Sequence, residues 1–218
     1  MDELTRLQQY YGDGERGERL VLASYFRRLN RREIPETYPP EVALPSPFLD
    51  YYRSAYIQLM GYSLVCRSWV RPLAQFIGTR KVLEIMSGTG ALAKALQDEG
   101  VDITATDDFS WKATFAGQWT KVEKRSALSA IKKYGKSVDF VIMSWPYLDD
   151  MALKSLEKMR SVNPDCRLIY IGEPKGGCNA NDAFFESAVL DEADCVLNSV
   201  RENYPCWHSF NDTVCLYK

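Results

Sequence analysis

At 218 residues and 46% hydrophobic, the chain can bury one full core, whereas a second independent domain would leave both halves small. Lysine plus arginine (27) nearly balance aspartate plus glutamate (29), so no global field favours a polyanion, and nucleic acid is not expected as a partner. The six cysteines form no C-x-x-C pair and no Cys/His cluster, which argues against a metal site. Cys166, Cys195 and Cys215 fall in apolar strand-like runs, where a reduced thiol packs as a small hydrophobe in a reducing compartment.

The N-terminus starts acidic and has no apolar run long enough for a signal peptide or membrane span, so a soluble, cytoplasmic protein is expected. Leu20, Val21, Leu22, Phe26 and Leu29 make an apolar helical stripe, which the Pro-rich segment TYPPEVALPSP ends. Ser46 and Pro47 suit the cap and first turn of the next helix, along which Tyr52, Tyr56, Leu59 and Met60 recur at helical spacing. A second helix runs to about Ile77, where Gly78 stops it. Tyr51, Tyr52 and Tyr56 share a helix face that could close over a pocket, although core packing is the commoner role of such a face. Residues 1–78 thus read as a helical extension and lid, and 79–218 as the main domain.

From Lys81 onward, short apolar runs alternate with amphipathic segments, the pattern of βαβ units around a parallel sheet. Strands are expected at 81–86, 101–106, 138–143 and 166–172, with a further one near 119–123. Helices fit 90–99, 149–160 and 180–190. In the tail, Cys195 to Val200 and Thr213 to Tyr217 read as strands whose connection is too short for a helical crossover, which implies an antiparallel hairpin at the sheet edge.

The run KVLEIMSGTGALAKALQDEG reads as strand, glycine turn and helix, the place where open α/β sheets bind ligands. Gly88 and Gly90 let the backbone approach a ligand, and the helix start can receive an anion. The next strand ends at Asp107 and Asp108, where a carboxylate can accept both hydroxyls of a ribose. An acidic residue (Glu84), a glycine-bearing turn (Ser87, Gly88, Thr89, Gly90) and a second acidic strand end, in that order, resemble the class I S-adenosylmethionine-dependent methyltransferases.

The resemblance covers about residues 80–218 and implies an α/β, mostly parallel seven-stranded Rossmann-like sheet with a C-terminal antiparallel hairpin. It also implies S-adenosylmethionine as cofactor. Glu84 would meet its amino group, Asp107 its ribose, and Asp108, Phe109, Ser126 and Ala127 its adenine. Met86 stands where the family has its first glycine, narrowing the loop.

VDFVIMSWPY delivers Ser144, Trp145, Pro146 and Tyr147 to the same edge, and this tetrapeptide partly resembles the Asn/Asp-Pro-Pro-aromatic motif of amino-group methyltransferases. Ser144 would accept a hydrogen bond from the target atom as well as border the cofactor. Tyr147 and Glu173, at the ends of the fourth and fifth strands, complete an expected catalytic trio around one pocket. His208, the single histidine, sits beside Trp207 and Phe210, where packing is the commoner role.

The activity implied is methyl transfer to a nitrogen or oxygen of a small molecule or protein. Met86 and the incomplete SWPY motif suggest, as an alternative, a non-catalytic binding or regulatory protein of the same fold. The near-neutral charge weighs against a nucleic-acid methyltransferase.

Overall fold

The computed structural model describes residues 16–45, 49–110 and 116–218. Helix α1 (Arg16–Asn30) buries Leu22, Phe26 and Leu29, one turn or two apart on a single face. The expected cap at Ser46 and Pro47 lies outside the described residues, as do the side chains of Leu20 and Val21. Helices α2 (Leu49–Met60) and α3 (Arg67–Ile77) are divided by a loop that begins at Gly61, whose φ of 102° ends α2. Gly78 closes α3 by donating its N–H to the Ala74 carbonyl.

The sheet comprises β1 (Val82–Ile85), β2 (Ile103–Asp107), β3 (Val122–Lys124), β4 (Phe140–Ser144), β5 (Arg167–Gly172) and β6 (Thr213–Tyr217). Their order is β3-β2-β1-β4-β5-β6, parallel throughout except for antiparallel β6. The α/β class, the parallel sheet and the antiparallel edge are those expected.

Alternate residues of each strand feed two cores, because successive side chains point to opposite faces. Val82, Ile142 and Ile169 pack with α1 to α3, α4 (Ala91–Asp98) and α8 (Asn198–Glu202). Leu83, Val141 and Leu168 pack with α5 (Ala127–Tyr134), α6 (Met151–Val162) and α7 (Asp182–Ser187). With both faces covered, β1 is buried at all four positions, which is why it reads as a continuous apolar run. The N-terminal helices share the first core with the sheet, so they are fixed to it by apolar packing.

The tail departs from expectation. Among the described residues the C-terminal antiparallel pair is β5 with β6, not a hairpin of 195–200 with 213–217, and the sheet has six strands where seven were expected. Asp194–Leu197 and α8 are helical, because Leu197 and Val200, three residues apart, both point into the core, a spacing a strand cannot match. Cys195 is consequently exposed and belongs to no strand. The outer edge of β6 is blocked by side chain and turn: Leu216 N–H donates to Asp194 Oδ1 at 2.8 Å, and the Asp191 N–H donates to the Leu216 carbonyl. Arg201 pins Asp194 at 2.5 Å and donates to the Val214 carbonyl, which fixes α8 against the strand.

Among the described residues no helix is long and apolar enough to cross a membrane.

Candidate active site

The strand order reverses between β1 and β4: the chain builds outward through β2 and β3, then returns to start β4 on the other side. At such a switch point the two connections leave in opposite directions and open a crevice beyond the carboxyl ends of the strands. A cavity of about 250 Å³ lies there. Glu84, Met86, Ser87, Gly88, Asp107, Asp108, Ser126, Ala127, Ser144 and Tyr147 line it. Phe109, Gly90 and Glu173 do not.

Glu84 is 2% exposed, inside β1, and its Oε2 has no hydrogen-bond partner among the described residues. Burial pushes its carboxyl from 4.5 up to about 8. The Ala93 backbone N–H pulls it down, and the nearby Asp107 charge adds a smaller upward push. Ser87 Oγ is similarly buried without a partner. Two such polar atoms beside one cavity call for a partner there, water or a ligand group.

Asp107 ends β2 and ties the glycine turn to the strand: its Oδ2 accepts from Gly88 N–H at 2.8 Å and its Oδ1 from Phe109 N–H at 2.7 Å. Each carboxylate oxygen offers about two lone-pair sites, so both retain room for another donor. Gly90 acts behind the turn. It caps α4 at φ 72°, and a Cβ there would meet Val122 Cγ2 at 2.7 Å, so its glycine is required by the close approach of β3.

Three non-glycine residues at the strand ends hold positive φ: Met86 (54°), Phe109 (56°) and Trp145 (50°). Each occupies a turn that leaves the sheet at the crevice or beside it, where strained backbone tends to collect. Met86 therefore keeps the backbone form suited to glycine while adding a side chain that packs on the second core. Phe109 turns away from the cavity onto the first core, unlike the adenine contact expected of it.

A further wall comes from the N-terminal segment, read from the sequence as a lid through Tyr51, Tyr52 and Tyr56, but other residues of that segment form it. Met60, at the end of α2, and Gly61, Tyr62, Ser63 and Val65, in the loop between α2 and α3, border the cavity. This loop is strapped down at several points. Thr89 Oγ1 donates to the Met60 carbonyl at 2.8 Å, Trp119 Nε1 to the Leu59 carbonyl at 2.6 Å, and Tyr56 Oη to the Ser63 carbonyl at 2.7 Å. Tyr52 and Tyr56 themselves are core residues that do not line this cavity.

Ser144 Oγ lies 2.7 Å from Ser63 Oγ, so one hydroxyl donates to the other. Tyr147 lies at the mouth, 43% exposed. Loss of hydration, then Tyr62, then the carboxylates of Asp107, Asp108 and Asp149, push its phenol above the ordinary range, so it stays neutral at physiological pH. Trp145 stacks on Tyr62 with ring centres 5.2 Å apart and planes 11° from parallel, and its Nε1 donates to Asp212 Oδ2 at 2.9 Å. Asp212 is 9% exposed. Burial raises its carboxyl from 3.8 to about 6, the Trp145 hydrogen bond opposes this, and Glu173 adds to it. No sequence spacing pointed to Asp212, which reaches Trp145 only because β6 pairs with β5.

Glu173 lies away from the crevice. Its Oε2 accepts from Cys178 N–H at 2.7 Å and its Oε1 from Asn211 N–H at 3.3 Å, so it clamps the loop after β5 to the segment before β6. The expected trio is therefore divided: Ser144 and Tyr147 share the crevice, and Glu173 does not. His208 anchors to the 42–43 turn through Val42 and Ala43 carbonyls and does not border the crevice.

No family model matches this chain, and no curated protein does. Among solved structures it is similar to magnesium protoporphyrin IX methyltransferase from Synechocystis PCC 6803 with S-adenosylmethionine bound. That pair has 12% identity and a TM-score of 0.43, over 100% of this chain and 97% of that one. A candidate O-methyltransferase from Nostoc punctiforme PCC 73102 shows 13% identity and a TM-score of 0.41, over 91% of this chain and 69% of that one.

Proposed function

We propose that the protein is an S-adenosylmethionine-dependent methyltransferase that transfers a methyl group to a nitrogen or oxygen of a small molecule. The observation that carries this is the pair at the switch point: the buried, half-partnered Glu84 carboxyl and, across the same cavity, Asp107 with lone pairs to spare. A ligand with an ammonium at one end and vicinal hydroxyls further along would satisfy both, and S-adenosylmethionine has both. Ser87 Oγ would complete its hydrogen bonding against the amino-acid end, while Asp108, Ser126 and Ala127 would border the base.

The cofactor when bound supplies a methyl carbon already activated by a sulfonium. The protein's task is then to place the acceptor in line with it, and positioning can contribute roughly 7 to 11 kcal/mol in favourable cases. In the Ser63–Ser144 pair one hydroxyl proton serves the other oxygen, which leaves one hydroxyl to orient an acceptor N–H or O–H at the end of β4. Tyr147, neutral, can donate a hydrogen bond but cannot act as a base. Tyr62 and Trp145 limit water at that side.

A second reading, a non-catalytic binding protein of the same fold, is favoured by one observation: the stacked rings of Tyr62 and Trp145 line the crevice together with Ser144, where an acceptor would need space. Radiolabelled cofactor offered with a panel of amines, phenols and carboxylates separates the two. Tight S-adenosylhomocysteine binding without transfer to any of them favours the second reading, and absence of binding refutes the first.

A further inference from the structure

Beside the crevice lies a second cavity of about 280 Å³, which shares Tyr62, Trp145, Pro146 and Tyr147 with the first as a common wall. Trp207 and Phe210 form its far side. Phe210 lies 5.5 Å from Trp145 at 54°, so with the Tyr62–Trp145 stack the cavity presents ring faces and edges from several directions. Flat π-systems gain from such surroundings beyond the burial of their area.

Among the described residues one charged side chain lines this cavity, Arg53, whose guanidinium lies 4.6 Å from the Phe210 ring centre. Its ion-pair partner Asp50 is 92% exposed at 3.6 Å, a contact that water and salt weaken, which leaves the cation able to serve a ligand. Asn179, 1% exposed, backs the cavity: its Oδ1 accepts from Glu173 N–H at 3.0 Å and its Nδ2 packs against Gly172. Among the described residues the lining thus offers rings and one cation, and no carboxylate.

We infer that this cavity holds the methyl acceptor, and that the acceptor is a flat aromatic acid: its ring lies among Tyr62, Trp145 and Phe210 and its carboxylate meets Arg53. The assignment as acceptor site rests on the methyltransferase reading above. The two cavities adjoin at Tyr62, Trp145, Pro146 and Tyr147, so a hydroxyl or amino group on the ring edge opposite the carboxylate would have to pass these side chains to reach the crevice where Ser144 lies. Transfer forms the methyl–oxygen or methyl–nitrogen bond as the methyl–sulfonium bond breaks. The bond electrons go to sulfur, which becomes a neutral thioether, and the acceptor's proton leaves to solvent.

The test uses the full chain and calorimetry, with three probes of one size: 4-hydroxybenzoate, its neutral amide, and trans-4-hydroxycyclohexanecarboxylate. S-adenosylhomocysteine is titrated first, separately. With it bound, 4-hydroxybenzoate should bind at least tenfold more tightly than either other probe. Arg53→Gln should remove that advantage over the amide while leaving the amide's own affinity and that of S-adenosylhomocysteine in place, which also shows that the variant is folded. Equal affinity for the three probes, or an Arg53→Gln variant that still prefers the acid, overturns the inference and leaves the cofactor reading standing. Failure of S-adenosylhomocysteine to bind refutes that reading and, with it, the role of this cavity as an acceptor site.

Discussion

Replacing Glu84 by Gln should stabilise the ligand-free protein and weaken cofactor binding, two effects of opposite sign from one carboxyl. Burial raises this group from 4.5 to about 8, so in the unfolded chain it ionises at a lower pH than in the folded one. Stability is therefore complete below about pH 4.5 and declines as pH rises toward 8. At ~1.36 kcal/mol per tenfold change in ionisation, the full loss is ~5 kcal/mol, of which about 3 is already incurred at pH 7. Gln keeps an acceptor for the Ala93 N–H and never ionises, so urea unfolding of Glu84→Gln should lose most of the decline between pH 5 and 8.

At pH 7 a group with that ionisation is about nine-tenths protonated in the free protein. An ammonium placed against it favours the charged form, so S-adenosylhomocysteine binding at pH 7 should release close to one proton. Calorimetry in two buffers of different ionisation heat measures this directly. The same release in Glu84→Gln, no release in the wild type, or a wild-type stability flat from pH 5 to 8 would refute the reasoning.

Asp107→Asn should weaken S-adenosylhomocysteine binding by roughly 1.5 to 3 kcal/mol, the worth of hydrogen bonds to a charged group, as read by calorimetry; unchanged affinity removes the ribose assignment. Met86→Gly relieves a non-glycine φ of 54° but removes a packed side chain, so urea unfolding should move by less than about 1 kcal/mol, whereas Met86→Ile, β-branched at that φ, should cost more than about 2. Glu173→Gln should lower stability by about 1 to 3 kcal/mol through the weakened Cys178 and Asn211 clamp while cofactor affinity is unchanged; a selective loss of turnover with normal stability would instead return it to the chemistry.

The sequence alone was enough for the α/β class, the approximate places of the six strands, and the placing of Glu84, Met86, Ser87, Gly88 and Asp107 at one crevice. Those signals are local: a continuous apolar run means a strand buried on both faces, and glycines with an acid at a strand end mark the turn where ligands bind. Local pattern also misled. The apolar run at 195–200 fits a strand by composition, yet its residues Leu197 and Val200 are buried three apart, and only the neighbouring β6 and Arg201 decide that it coils. Glu173 read as a site carboxylate because it ends a strand. Which way it turned depended on two backbone N–H groups, one five residues on and the other at Asn211. Tertiary structure alone brought Ser63 onto Ser144, Tyr62 onto Trp145, and Asp212 behind it, because these contacts join residues 67 to 83 positions apart that share no period. A sequence records which surfaces are apolar and which turns are tight; which distant side chains meet is set by how those surfaces pack.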